Sequence, residues 1–201
     1  MNRPDAEAVL AFWFDRPLPA DRPVPGEAID RWFRADPALD AQIEARFGVL
    51  VTEALHGAHD DWCASADGWL ALLIVLDQFP RNLYRGDARA FAGDPRAQAI
   101  ALDGIARGSD RLLAPVRRAF AYLPLEHAED VTLQERAVAL FEALEAEAPP
   151  AQAEAFALFS DYARQHRDVI ARFGRFPHRN AALGRRSSPA EQAWLDAGGG
   201  F

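Results

Sequence analysis

Residues 69–86 read WLALLIVLDQFPRNLYRG, and they join the most apolar run of the chain to a group of polar side chains. The first seven residues are typical of a helix buried on all sides, because no polar face interrupts them. Pro80 lacks a backbone N–H and its ring clashes with the carbonyl four residues earlier, so we expect this helix to kink or end near Phe79. The segment therefore predicts a core helix that brings the carboxylate of Asp77 to a break lined by arginines.

The same pattern of a helix, a proline and polar side chains occurs twice more. An amphipathic helix over about 115–123 should break at Pro124, and a helix over about 151–173 should end at Gly174, with Pro177 shortly after. The polar residues at the three breaks are Asp77, Gln78, Arg81, Asn82 and Arg85, then Glu126 and His127, then Arg175, His178, Arg179 and Asn180. His166 falls on the apolar face of the last helix.

Helix signals recur along the chain, whereas strand signals are nearly absent. Asp36, Asp94 and Ser188 each precede a proline, which predicts an N-cap followed by proline at the first helical position. Ser188 and Thr132 also have a glutamate three residues later, as in a capping box. The predicted helices are 4–15, 27–35, 37–56, 66–79, 95–107, 115–123, 132–147, 151–173 and 189–197. We predict an all-α fold that forms a single domain over residues 1–201.

Composition restricts the function. The chain has 201 residues and a net charge of -8, and so acidic a domain repels phosphate backbones, which argues against nucleic-acid binding. The single cysteine, Cys63, excludes an intrachain disulfide. The N-terminal 15 residues lack signal-peptide features and the apolar run is too short to span a bilayer, so we expect a soluble cytoplasmic protein without a membrane partner. The sequence leaves open a homodimer.

Metal and cofactor sites find little support in the sequence. Glu53 and His56 have the spacing of a carboxylate-bridged di-metal motif, but such sites need a second copy of the motif, which the sequence lacks. Glu126 and His127 are adjacent and would point about 100° apart on a helix, a poor arrangement for one ion. Phosphate-binding loops, dinucleotide fingerprints and serine-hydrolase elbows are also missing from the sequence. We therefore predict neither a metal nor a cofactor.

Three long strings resemble the bacterial family of unknown function 924: LDQFPRNLYRGDARAF, AYLPLEHAED and HRDVIARFGRFPHRNAALGR. The beginning, VLAFWFD and RWFRADPALD, and the end, RRSSPAEQAWL, resemble the family too, so the similarity extends over nearly the whole chain. The resemblance implies a tetratricopeptide-like fold of antiparallel helix pairs in a right-handed array. It also implies that the polar residues at the proline breaks and His166 are family features, but it implies no reaction.

These observations lead to three hypotheses. In the first, the three breaks converge on one polar pocket, where arginines bind a small anionic or polar molecule. In the second, the pocket belongs to a hydrolase-type enzyme with Glu126 or His178 as general base, His127 as a further proton-transfer group, and arginines that stabilise an oxyanion. In the third, the polar residues are structural ion pairs and a helical groove binds another protein.

Overall fold

The computed structural model describes residues 5–15 and 18–201. The predicted beginning of the first helix at residue 4, and the first two residues of the proline-rich loop 16–26, lie outside these ranges. The α-helices are α1 (Ala6–Phe14), α2 (Gly26–Phe33), α3 (Pro37–Leu55), α4 (Ala66–Leu73), α5 (Phe79–Leu83), α6 (Asp94–Ala106), α7 (Pro115–Glu126), α8 (Val131–Ala146), α9 (Ala153–Phe173) and α10 (Pro189–Asp196). Five short 3-10 turns lie between them: Asp60–Ala64, Ala88–Phe91, Ser109–Leu112, Pro150–Gln152 and Pro177–Arg179.

The described part of the chain is all-helical, as predicted, and contains no β-strand. Helices α7, α8 and α9 follow one another through short connections and pack side by side, which makes neighbours antiparallel. Buried apolar side chains from α1 through α9 form one continuous core, in which α4 is central because it contacts α1, α6 and α7. The tetratricopeptide-like order of the helix pairs remains a prediction. No helix in the described ranges is both long and apolar enough to cross a membrane.

Some helix starts follow the sequence and others do not. Asp36 caps α3 by accepting a hydrogen bond from the Ala38 N–H, and Ser188 forms the predicted capping box with Glu191. The predicted box at Thr132 is wrong, because Asp130 caps α8 instead. The predicted N-cap role of Asp94 is also wrong: this residue is the first of α6, and its carboxylate bonds to arginines.

The predicted helix break at Pro80 is replaced by a wider turn. Residues Ile74–Gln78 form a π-helix, in which the Phe79 N–H donates to the carbonyl of Ile74, five residues back. An α-helical turn here would drive the Pro80 ring into the Leu76 carbonyl, and the wider turn accommodates the proline without ending the helix. The chain therefore continues as α5 up to Leu83. π-Turns of this kind are frequent at functional sites.

The other two prolines behave differently from each other. Helix α7 continues through Pro124 to Glu126, so the predicted break at Pro124 is wrong. Only the final turn follows this proline, and the side chains from Ala119 to Glu126 are all buried, so packing compensates for one lost backbone hydrogen bond. Helix α9 ends as predicted at Gly174, whose φ of 70° is the left-handed conformation that glycine adopts without strain.

Candidate functional site

Several elements meet around one cavity. They include the π-turn Ile74–Gln78 with α5, the C-terminal half of α7, the middle of α9 and the 3-10 turn Pro177–Arg179 that follows α9. Helix α2, the turn Ala88–Phe91 and the C-terminal residue Phe201 line it as well. The cavity has a volume of about 820 Å³, large enough for a small organic molecule. Polar side chains from all three proline-containing segments line it, including Arg81, Glu126 and Arg179. The three segments thus lie together in space.

The beginning of α6 supplies a carboxylate that connects two of the segments. Arg81 donates from both terminal nitrogens to Asp94, over 2.8 and 3.0 Å, and Arg179 donates to the same carboxylate over 3.1 Å. The Arg179 guanidinium also lies between the rings of Phe91 and Phe176, 4.7 and 4.4 Å from their centres. Two guanidinium groups therefore share one buried carboxylate, and the geometry of both is fixed by charge and by aromatic packing.

Asp77 lies behind the cavity and orients His127. The Asp77 carboxylate is buried, contacts Arg81 at 3.2 Å, and lies 2.8 and 3.0 Å from Nδ1 of His127. Burial alone raises the pKa of Asp77, but Arg81 and His127 outweigh it and hold the pKa well below its ordinary value. An ionised carboxylate only accepts hydrogen bonds, so Nδ1 of His127 carries the proton and Nε2 has a free lone pair. Burial, reinforced by Arg81, lowers the pKa of His127 and keeps the imidazole neutral.

Glu126 and His166 form a second carboxylate–histidine pair. Oε1 of Glu126 lies 3.3 Å from Nδ1 of His166, and both side chains are buried. Nδ1 of His166 is also 2.8 Å from the carbonyl of Tyr162, which accepts its proton. Burial, together with the charge of Asp77, raises the pKa of Glu126 to about 8. Burial and the neighbouring His127 lower the pKa of His166 to about 3.

Two buried nitrogen atoms on the third segment have no partner among the described residues. Nδ1 of His178 and Nε of Arg179 are both buried and make no hydrogen bond. Burial, followed by the charge of Arg179, lowers the pKa of His178 to about 4, so its ring is neutral at pH 7. Burial, and then Arg81, lowers the pKa of Arg179 to about 10, which leaves it charged. Buried polar atoms usually have partners, so these two need an explanation.

The opposite wall of the cavity is apolar. Phe120, Leu123 and Phe159 line it as part of the core. Large apolar side chains that are exposed to solvent also line it: Phe33, Leu158, Tyr162 and Phe201. The Phe201 ring stacks on His166 with 3.6 Å between ring centres. The cavity therefore has a polar floor, an apolar wall and an aromatic rim.

Comparison with known proteins identifies the family. The model of a family described as bacterial protein of unknown function (DUF924) matches residues 9–199. The chain belongs to the DUF924 family. The structure of a protein of unknown function, ATU0120 from Agrobacterium tumefaciens, is similar with a TM-score of 0.81 and 36% sequence identity, and the alignment covers 96% of this chain and 97% of that one. No curated protein matches the sequence significantly.

The residues predicted at the proline breaks of this DUF924 protein fall into two groups. One group lines the cavity: Gln78, Arg81, Asn82, Arg85, Glu126, His127, His166, His178 and Arg179. The other lies away from its surface: Asp77, Arg175 and Asn180. Arg175 donates to Glu191 of α10, and Asn180 contacts Ser187 and Arg185, so these two residues fasten the C-terminal segment.

Two of the cavity residues are better explained as structural. Arg85 donates to both carboxylate oxygens of Asp40 in α3, over 2.9 and 3.1 Å, and Asn82 donates to the same carboxylate over 2.8 Å. Burial alone raises the pKa of Asp40, but these contacts outweigh it and hold that pKa below its ordinary value. Arg85 is therefore no free donor for an anion, in contrast to the role that the sequence suggested.

Two predictions from the sequence are wrong, namely the role of Asp94 and the divergence of Glu126 and His127. Asp94 was expected to cap α6, because an aspartate before proline is a common N-cap, and nothing in its neighbourhood indicates a contact with arginines. Glu126 and His127 were expected to diverge, yet one oxygen of Glu126 and one ring nitrogen each of His127 and His166 lie within 4.8 Å of one another. His127 follows the last residue of α7, and its ring turns towards Asp77.

Proposed function

We propose that this DUF924 protein binds a small amphipathic molecule in the cavity between α5, α7, α9 and the turn Pro177–Arg179. The polar group of the molecule would lie against His127, His178 and Arg179, and its apolar part against Phe120 and Phe159. One observation carries the proposal. The cavity combines two buried nitrogen atoms without partners, on His178 and Arg179, with exposed aromatic rings at its rim. Both features are costly unless something else satisfies them.

Charge limits the polar group of the ligand. Arg81 and Arg179 face Asp77 and Asp94, so these four charges cancel, and the raised pKa of Glu126 keeps it largely neutral at pH 7. Arg179 still has a free Nε–H to donate. We therefore expect a ligand with a hydrogen-bonding group of low charge, such as an amide, an ester or a single carboxylate, rather than a polyphosphate.

Hydrolysis is a second candidate, which the two carboxylate–histidine pairs favour. His127 is fixed by Asp77 and presents Nε2, while Glu126 is held 3.3 Å from His166, and all three cavity residues surround the same space. A neutral imidazole backed by a carboxylate is a common general base, and the neighbouring arginine can stabilise developing negative charge. His178 is an alternative base on the same wall. A protein-binding scaffold fits less well, because it leaves the unpartnered donors unexplained.

A thermal-shift screen tests the proposal, because a molecule that binds only the folded state raises the unfolding temperature. The library should contain small amides, esters and monocarboxylic acids with an apolar group, and each compound should be measured with and without EDTA. We expect hits to lose at least ten-fold in affinity in Phe33→Ala and Arg179→Lys. Leu112→Ala removes an exposed apolar side chain outside the cavity and should leave the affinity unchanged. Hits that bind all variants equally would contradict the proposal.

The cytoplasmic location and the possible homodimer remain expectations from the sequence alone.

A further inference from the structure

Three side chains in the cavity place possible metal-ligand atoms close together. One carboxylate oxygen of Glu126 and one ring nitrogen each of His127 and His166 all lie within 4.8 Å of one another. Atoms bound to one tetrahedral ion lie about 3–4 Å apart, since each bond measures about 2.0–2.2 Å. Small side-chain rotations would therefore bring the three atoms into a common coordination sphere.

His127 is already oriented as metal-binding histidines are. Its Nδ1 is 2.8 Å from Asp77, so the carboxylate fixes both the tautomer and the plane of the ring. Metal ligands of this type usually donate their other ring N–H to a carboxylate or a carbonyl, which also increases the basicity of the coordinating nitrogen. Nε2 of His127 is the nitrogen left free to coordinate.

His166 is oriented in a similar way, by a backbone carbonyl rather than by a carboxylate. Its Nδ1 lies 2.8 Å from the Tyr162 carbonyl one turn earlier in α9, so this nitrogen is the protonated one and Nε2 keeps a lone pair. The stacked ring of Phe201 restricts rotation of the imidazole. The two histidines thus lie at the cavity, His127 just after the end of α7 and His166 within α9. Each has one ring nitrogen occupied by a hydrogen bond.

Glu126 has no arginine partner among the described residues. Its side chain is buried, and its Oε1 lies 3.3 Å from Nδ1 of His166. Arg81 and Arg179 contact Asp94 instead. An isolated ionised carboxylate is expensive to bury, so a cation bound here would stabilise the ionised form of Glu126 in place of a proton.

We propose that Glu126, His127 and His166 bind one divalent first-row transition-metal ion, with Zn²⁺ as the best match. Two imidazoles and one carboxylate form a ligand set of catalytic zinc sites, in which a fourth position stays open for water or substrate. Imidazole ligands disfavour Mg²⁺ and Ca²⁺, which prefer oxygen. The proposal rests on the cavity being a ligand site, and it reverses our expectation from the sequence that the protein binds no metal.

The ion would also explain the unpartnered donors nearby. A bound divalent cation with ionised Glu126 adds one net positive charge to a floor whose other charges cancel. A water or a ligand carboxylate on the open position of the ion could then contact His178 and Arg179, which line the cavity and each have a buried nitrogen without a partner. The metal thus specifies the ligand class further, as a molecule with a carbonyl or carboxylate oxygen that can coordinate the ion.

Titration with Zn²⁺ alone tests the site. The purified chain is stripped with EDTA, dialysed, and titrated in competition with a chromophoric chelator, in parallel with unfolding scans at each metal concentration. We expect one equivalent of Zn²⁺ to bind wild type and to raise its unfolding temperature. Glu126→Gln and His166→Gln should each bind at least 100-fold more weakly, although Gln at position 126 has nearly the same shape and should allow normal folding. Mg²⁺ should not bind at the same concentrations.

A second histidine–glutamate contact provides the matched control. His59 contacts Glu53 over 3.1 Å near the C-terminal end of α3, and neither residue lines the cavity. His59→Gln should therefore bind Zn²⁺ as wild type does. The proposal is overturned if wild type binds no ion, if Glu126→Gln and His166→Gln bind as tightly as wild type, or if His59→Gln removes binding.

The two proposals fail in different ways. If the thermal-shift screen yields cavity ligands in EDTA while Zn²⁺ does not bind, the metal proposal is wrong and the ligand cavity stands. If Zn²⁺ binds with the expected variant pattern while no compound binds with or without the metal, the amphipathic ligand is wrong and the metal site stands.

Discussion

Two kinds of polar side chain lie near each other in this protein: those that pair with an opposite charge and those that lack such a partner. In the first kind, Arg85 at the edge of the cavity pairs with Asp40, and Arg175 outside it pairs with Glu191, each through two hydrogen bonds. Around the cavity, Glu126 has no arginine partner and His178 has a buried nitrogen without any hydrogen bond among the described residues. Arg85 and Arg175 are satisfied by the chain itself, and these two cavity residues are not. In our proposal the former hold the fold and the latter are available to a ligand.

The contacts of Asp94 with Arg81 and Arg179 combine both kinds of side chain, paired and partly unpaired. Its carboxylate satisfies Arg81 with two hydrogen bonds, but gives Arg179 only one and leaves the Nε of Arg179 free. Asp77 likewise serves the fold by neutralising Arg81 and serves the cavity by orienting His127. These residues form the boundary between the structural ion pairs and the candidate site.

The largest effect on stability is expected for Asp77→Ala. The substitution leaves the partly buried Arg81 with one carboxylate partner fewer and removes the acceptor of His127. We expect a loss of about 3–5 kcal/mol in the free energy of unfolding, measured by urea denaturation. Asp161→Ala, which removes an exposed aspartate from α9, is the control and should leave the midpoint nearly unchanged. A midpoint for Asp77→Ala equal to that of wild type would contradict the structural role of Asp77.

Two matched glycine substitutions test how Asp94 is placed. A Cβ on Gly93 would lie 2.1 Å from the Leu76 carbonyl oxygen in the π-turn, so Gly93→Ala must displace the start of α6. We expect a loss of about 1–3 kcal/mol. In Gly48→Ala the nearest atom is 3.9 Å away, and the better helix propensity of alanine should stabilise α3 by about 0.5–1 kcal/mol. Denaturation midpoints that shift in the same direction would contradict the close contact at Gly93.

Acid should abolish the contribution of a peripheral pair. The hydrogen bonds from Arg175 and the Ser188 backbone lower the pKa of Glu191 to about 2, against an ordinary value of 4.5. A carboxyl whose pKa is lowered by folding stabilises the protein above pH 4.5, and this stabilisation disappears as the pH falls from 4.5 to about 2. Glu191→Gln should therefore unfold at lower urea than wild type at pH 6, and the difference should shrink towards zero near pH 2.

The control for this experiment is Glu135→Gln, which changes an exposed carboxylate of α8. Its midpoint should follow that of wild type at every pH. A difference between Glu191→Gln and wild type that stays constant from pH 6 to pH 2 would show that the charge of Glu191 does not contribute.

The smallest effect is expected for His178→Ala. His178 is neutral at pH 7, and its buried nitrogen has no partner to lose, so its replacement should change the free energy of unfolding by about 0.5 kcal/mol or less. Arg175→Ala, three residues earlier, leaves Glu191 without its cation and should lower the urea midpoint clearly. Equal losses for the two variants would place His178 among the structural residues.

The sequence predicted the fold much better than it predicted the contacts of the site. Amphipathic periodicity and caps at Asp36 and Ser188 predicted most of the helices, because these signals act within one or two turns. The helix at Pro80 continues through a π-turn whose Leu76 carbonyl lies close to Gly93, and the helix at Pro124 continues among buried side chains. Such surroundings cannot be read from the local sequence.

The sequence indicated many of the polar residues that line the cavity, but not their partners. Arg85 pairs with a carboxylate 45 residues away, and Arg179 pairs with one 85 residues away. Charge pairing over such separations depends on how the helices pack, and a single sequence does not record it. Asp94 was misassigned for this reason, since its local surroundings match an N-cap.

Glu126→Gln provides the most direct test of the claim that the cavity residues form a site rather than part of the structural framework. The urea midpoints of wild type and Glu126→Gln are measured in the presence of EDTA. If Glu126 is kept for a ligand at the expense of stability, the substitution should leave the free energy of unfolding unchanged or raise it by about 0.5–2 kcal/mol. A decrease of more than about 1 kcal/mol, as expected when a structural partner is removed, would contradict the account.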